Sequence, residues 1–269
     1  MSSIQSSGKF KDLLPRIAYA IAGITIVVVS FLHPVSAHLL FLIIAVGIWF
    51  ETLSLLIPEA KRKYLLFLLG GTPLLLITLN ALGLFIIELD SLISFITVIF
   101  ITMWLFSIRY KEKAFAVLLV FVILNVALFN WFSVSTDSWT PAPWIFWLVL
   151  VWINDTFAYF TGRLFGRHKI APAVSPGKTI EGLIGGFFFT VLASALYAFV
   201  SPVPHFDNPT DYLIAATIVS IAGPAGDLFE SAIKRYAGVK DSGNLLGPHG
   251  GLFDRMDAWI FVAACVNLI

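Results

Sequence analysis

Charge is scarce in this chain. Of its 269 residues only 12% are Asp, Glu, Lys or Arg, against roughly 25% in an average soluble domain. That shortage excludes a solvated charged surface over most of the molecule. Cysteine is almost absent as well. Cys265 stands alone, so no intrachain disulfide can form, and inside its apolar run it reads as a small buried hydrophobe. Ten-residue segments of alternating polarity are also missing, which excludes a transmembrane barrel. There is no linker, low-complexity tract or convincing internal repeat. Residues 1–269 therefore read as a single integral-membrane domain.

What the chain has instead is apolar sequence: 59% hydrophobic residues and a mean hydropathy of +0.92. Nine runs approach or exceed the ~20 residues that cross a bilayer: about 17–32, 36–57, 64–87, 91–108, 115–133, 143–160, 180–200, 212–233 and 256–269. The first and last are short. Backbone groups in lipid must be satisfied within their own segment, so these runs should be helices. The expected fold is all-α, a polytopic transmembrane helical bundle of about nine spans. Residues 1–140 should be mainly membrane scaffold, and residues 141–269 a catalytic half with cytoplasmic loops.

The 17 Lys and Arg residues orient that bundle. They fall before the first span (Lys9, Lys11, Arg16) and between spans two and three (Lys61, Arg62, Lys63). The rest lie between spans four and five (Arg109, Lys111, Lys113), six and seven (Arg163, Arg167, Lys169, Lys178), and eight and nine (Lys234, Arg235, Lys240, Arg255). The other loops hold none. The positive-inside rule then predicts a cytoplasmic N-terminus and a C-terminus outside. A rival reading makes residues 1–37 a signal peptide, with Val35-Ser36-Ala37 as a small-residue cleavage site; it leaves the later topology unchanged.

Two inside loops, 161–179 and 235–255, are long and dense in glycine and charge. Asp227 lies near the cytoplasmic end of span eight, with Glu230, Ser231 and Lys234 on its helical face. An ionisable residue at membrane depth defaults to a functional hypothesis; the plain alternative is a buried pair with Lys234. Asp254 and Asp257 are three apart at the start of span nine. They would repel one another unless a cation sat between them, and a hard cation shared with phosphate oxygens is how Mg²⁺ is usually held. Gly250-Gly251 would let backbone approach a phosphate. His249 would donate to a phosphate or cap a turn.

Asp155 is a further acid at span depth, followed by Ser175-Pro176-Gly177-Lys178-Thr179-Ile180-Glu181-Gly182. Lys178-Thr179 is like the tail of a P-loop, but the glycine spacing is wrong and no strand is expected before it. A basic, hydroxyl-rich turn before a helix is still an anion site. For Arg163, Arg167 and Lys169, setting topology and touching lipid headgroups is an equal alternative. Glu51, within span two, has no assigned role.

The stretch from Ser231-x-Ile233-Lys234-Arg235 through Lys240-Asp241-x-Gly243 and Leu246-Gly247-x-His249-Gly250-Gly251-Leu252 to Asp254-Arg255-Met256-Asp257 resembles the characteristic segment of the phosphatidate cytidylyltransferases, or CDP-diacylglycerol synthases. The Asp155–Gly182 region resembles that family's second polar region. Gly177 stands where the family usually has a first lysine, which puts that lysine's role in doubt, not Lys178. The likeness covers roughly the C-terminal half.

The resemblance implies the reaction of CTP with phosphatidic acid to give CDP-diacylglycerol and pyrophosphate, a Mg²⁺ requirement with one or more ions, a homodimer and an inner-membrane location. It implies metal carboxylates at Asp227, Asp254 and Asp257, with Lys234 and Arg255 also catalytic. Substrate contacts would come from Asp155, Ser175, Lys178, Thr179, Glu181, Ser231, Arg235, Lys240, Asp241, His249, Gly250 and Gly251. No nucleic-acid partner is expected. The residue chemistry agrees: a phosphate monoester needs charge neutralisation rather than a strong base, and the chain offers carboxylates and cations but no credible Ser-His-Asp or Cys nucleophile. A CTP-dependent polyprenol-type lipid kinase and an ion-coupled transporter are the alternatives.

Overall fold

The computed structural model describes residues 18, 21–57, 116–117, 119–127, 140–204, 206–247 and 250–266. The expected spans at 64–87 and 91–108, and His249, lie outside the described residues. A short apolar helix, α1 (Ile21–Ser30), leads into α2 (Pro34–Leu56). Residues 119–127 form helix α3. Then follow α4 (Ala142–Phe165), strands β1 (Lys169–Ala171) and β2 (Ser175–Thr179), α5 (Ile180–Val200), α6 (Pro209–Tyr236) and α7 (Phe253–Ala263).

Four of these helices, α2, α4, α5 and α6, are long and apolar enough to cross a membrane. The shortest, at 21 residues, extends about 31 Å at 1.5 Å per residue, close to a bilayer's hydrocarbon thickness. The architecture is a helical membrane bundle, as expected, with one short β-hairpin beside it. β1 and β2 pair antiparallel, Lys169 opposite Thr179 and Ala171 opposite Ser175. Lys178 and Thr179 therefore end a strand, where none was expected. Pro176-Gly177 and the short length hide it from any test of alternation.

α5 is built inside out. Its buried residues are Gly182, Gly186, Thr190 and Ser194, a small-residue stripe with a four-residue step. Its bulky residues Phe188, Leu196 and Phe199 are exposed, as lipid contact requires. Without a hydrophobic drive between helices in lipid, close packing needs such small faces. A Cβ on Gly182 would sit 2.8 Å from the Ala158 carbonyl oxygen, so α5 and α4 are in near-backbone contact. Asn154 secures the packing: its amide donates to Thr190 Oγ1 and Ser220 Oγ, both at 3.1 Å, tying α4 to α5 and α6.

The core lies between α2, α3, α4, α6 and α7. Trp259 packs against Phe41 at 4.9 Å, and Trp49 against Phe121 at 5.6 Å between ring centroids. α6 and α7 cross closely at Gly226, where any side chain would strike the Asp257 backbone. That crossing sets Asp227 beside Asp257. The loop between α4 and α5 meets the last turn of α6 at one end of the bundle, where Arg235 Nε donates to the Val174 carbonyl at 3.3 Å.

Candidate active site

At that end of the bundle lies a cavity of about 820 Å³. α4 supplies Asp155 and Arg163, the hairpin Lys169, Ser175 and Lys178, α6 Asp227 and Lys234, and α7 Asp254, Arg255 and Asp257. Acids and cations thus line the same cavity. Segments from four separate parts of the chain contribute.

Lys178 and Asp227 form an ion pair in the cavity lining, with Nζ 2.7 Å from Oδ2; the Asp227 side chain is 41% exposed. Lys178 also donates to the Pro224 carbonyl at 3.1 Å. Ser231 lies one turn beyond Asp227, and its hydroxyl donates to Oδ1 at 3.4 Å. Asp155 and Asp257 stand within charge–charge reach of Asp227 and of Lys178. Three carboxylates so placed create a site that favours cations, and Lys178 supplies one from the protein itself.

A second cluster lies deeper. Lys234 Nζ is 2.6 Å from both Glu230 Oε2 and Asp254 Oδ1, so the buried pair anticipated for Lys234 is made with Glu230 and extended to Asp254. Asp254 Oδ2 accepts the N–H groups of Ser242 and Gly251, each at 2.8 Å, and lies 3.0 Å from Ser242 Oγ. Both oxygens of Asp254 are therefore engaged by the protein. Gly251 gives its N–H to Asp254, and a Cβ at Gly250 would come within 2.7 Å of Asp254 Oδ2. In this structure the glycine pair makes room for a carboxylate.

Glu51, left without a role by the sequence, is the main functional candidate that the motifs missed. It sits on α2, 5% exposed, and accepts from Leu252 N, Phe253 N and Ser242 Oγ, each at 2.9 Å. Its partners lie 191–202 residues away, so no local pattern could reveal them. The intramembrane charge itself was the available signal.

Other expected residues lie elsewhere. Thr179 lines the cavity but caps α5, its hydroxyl accepting from Gly182 N at 3.1 Å. Glu181 is outside the lining and braces the hairpin, accepting from Arg167 N at 3.0 Å and contacting His168 Nδ1 at 2.6 Å. Arg235 points to the Val174 and Val239 carbonyls. Lys240 and Asp241 are exposed on the loop before α7 and do not line the cavity.

Among the described residues no group of three or more His, Cys, Asp or Glu is arranged to hold a metal ion by itself. A hard divalent ion does not need one: Mg²⁺ is commonly held by one or two carboxylates plus substrate phosphates and water. Asp227, against which an ammonium already lies, and Asp257, within charge–charge reach of it, fit that demand.

A cavity lined by acids and cations, in a bundle whose helices are long and apolar enough to cross a membrane, is a candidate site for an anionic substrate. Residues 15–269 match the sequence profile of the cytidylyltransferase family. The phosphatidate cytidylyltransferase of Staphylococcus haemolyticus (strain JCSC1435) is 36% identical over 185 residues, covering 68% of this chain and 69% of that one. That of Staphylococcus aureus (strain COL) is 36% identical over 188 residues, 68% and 70% of the two chains. One from Staphylococcus epidermidis (strain ATCC 35984) is 42% identical over 125 residues, 46% and 47%. The chain belongs to the cytidylyltransferase family and is a nucleotidyltransferase.

Proposed function

We propose that this enzyme transfers the cytidylyl group of CTP to phosphatidic acid, releasing pyrophosphate and forming CDP-diacylglycerol. The observation that carries the reading is the shared wall between two cavities. The polar cavity adjoins an apolar groove of about 270 Å³, lined by Phe41, Ile44, Val151 and Trp259, and the two have Trp152, Asp155, Arg255 and Asp257 in common. An amphiphile with a phosphate head and an apolar body fits such a pair of spaces.

In this reading a phosphate-monoester oxygen of phosphatidic acid attacks the α-phosphorus of CTP, and the bond from that phosphorus to the bridging oxygen of pyrophosphate breaks. The nucleophile is already ionised, so no residue need take a proton from it. Lys178 and Arg255 neutralise phosphate charge from the hairpin and α7. Lys234 holds Asp254, and with it the loop through Gly251, at the cavity floor. Asp227 and Asp257 would hold Mg²⁺, which when bound offsets charge on the phosphates. Preorganised cations around developing negative charge are commonly the largest catalytic contribution.

The same reading puts the chain in the inner membrane with about nine spans, a cytoplasmic N-terminus and the cavity facing the cytoplasm, where CTP is found. Meeting of the basic α4–α5 loop and the basic last turn of α6 at one end of the bundle supports that placement through the positive-inside rule. A homodimer belongs to the reading by family resemblance. The test is purified protein in detergent with CTP, phosphatidic acid and Mg²⁺, both products being identified. CDP-diacylglycerol with pyrophosphate supports it; CDP with a phosphorylated lipid alcohol, or no turnover, overturns it.

A further inference from the structure

Helix α7 begins without a cap of its own. Its N-cap residue, Leu252, makes no side-chain capping bond, and the first N–H groups of any helix lack intrahelical partners. Glu51 fills that role from α2. Its Oε1 accepts from Leu252 N and its Oε2 from Phe253 N. A buried carboxylate is costly unless hydrogen-bonded, and here the positive end of the α7 dipole adds to the bonds.

Room for Glu51 is built into the facing loop. A Cβ at Gly243 would come within 2.7 Å of Glu51 Oε1, and one at Gly251 within 2.5 Å of Oε2. Ser242 Oγ lies between two carboxylates, 2.9 Å from Glu51 Oε2 and 3.0 Å from Asp254 Oδ2. Asp254 in turn holds Lys234. A continuous chain of polar contacts therefore runs from the N-terminal half of the molecule into the cavity wall.

We propose that Glu51 is a positioning residue for cytidylyl transfer: it fixes the start of α7 and, through Ser242, the orientation of Asp254. This rests on the function proposed above. It also assigns part of the active-site framework to the half of the chain expected to be scaffold.

Glu51→Gln keeps the side chain's size but replaces one oxygen by an NH₂ group, which cannot accept from a backbone N–H. The experiment compares wild type, Glu51→Gln, Ser242→Ala and the double variant in detergent, measuring kcat, KM for CTP and melting temperature. The expected result is a kcat at least about tenfold lower in Glu51→Gln, equivalent to ~1.4 kcal/mol in the barrier, with KM for CTP near wild type and the protein still fully folded at the assay temperature. Because both act along one chain, the double variant should be no slower than the slower single one. Wild-type kcat in folded Glu51→Gln, or multiplied losses in the double variant, overturns the proposal. So does a loss of activity that merely follows a fall in melting temperature. Should Glu51→Gln fail to fold, a wild-type kcat in Ser242→Ala overturns it. An inactive wild-type protein in the same assay defeats the functional reading instead.

Discussion

Lys178 extends from the β-hairpin to α6 and sets its ammonium 2.7 Å from Oδ2 of Asp227. The contact joins residues 49 positions apart and ties the hairpin to α6. Under the proposed function, Lys178 would neutralise a phosphate of CTP when a divalent cation is held at Asp227.

Lys178→Ala should therefore impair use of CTP more than use of lipid. KM for CTP should rise about tenfold, a loss of roughly 1.4 kcal/mol in binding, while KM for phosphatidic acid stays within a factor of about two. Steady-state kinetics in mixed micelles measure both. An unchanged KM for CTP would count against the assignment.

Asp254 and Asp257 sit one helical turn apart but have different surroundings. Asp257→Asn and Asp254→Asn should each slow turnover by about 10²-fold or more, with the protein still folded and inserted. Raising Mg²⁺ should partly restore Asp257→Asn and leave Asp254→Asn unchanged, since both Asp254 oxygens are bound to Lys234, Ser242 and Gly251. Rescue of Asp254→Asn alone by Mg²⁺ would reverse these roles.

Lys234 is 13% exposed and balances two buried carboxylates. Lys234→Met leaves both without their cation and should cost about 3–5 kcal/mol of stability. The added change Glu230→Gln removes one unpaired charge and should recover part of that loss. Thermal unfolding in detergent compares them; equal melting temperatures for Lys234→Met and wild type would contradict the buried network.

Ile44 lines the apolar groove beside the polar cavity. Ile44→Trp should narrow it, raising KM for long-chain phosphatidic acid while leaving a short-chain, soluble analogue nearly unaffected. Equal effects on both would remove the groove from the substrate path.

At the α4–α5 contact, Gly186→Leu should cost about 1–3 kcal/mol by overpacking, because even a Cβ there would lie 3.1 Å from the Ala158 Cβ and the Asn154 carbonyl oxygen. An unchanged melting temperature would contradict that close packing.

Much of the architecture was legible because hydropathy carries it. α5 occupies 180–200 as expected, since Thr179 caps one end and apolar residues continue to the other. α4 runs to Phe165, beyond the expected 160, because Gly162 and Arg163 continue the helix along the hairpin. The hairpin was hidden by its brevity and its Pro-Gly step. Of the site, Asp227 and Lys178 were visible as isolated charges beside apolar runs. Glu51 was equally visible as a charge, but its role depends on a loop some 200 residues later. The use of Gly250-Gly251 was also beyond reach, since a glycine pair does not reveal whether phosphate or carboxylate lies against it.

The central claim is that this cavity joins CTP to phosphatidic acid. Its most direct measurement is product analysis with purified protein, phosphatidic acid, Mg²⁺ and CTP labelled separately at the α- and γ-phosphates. The account predicts the α label in the lipid product and the γ label in pyrophosphate. The γ label in lipid, with the α label in CDP, would contradict it.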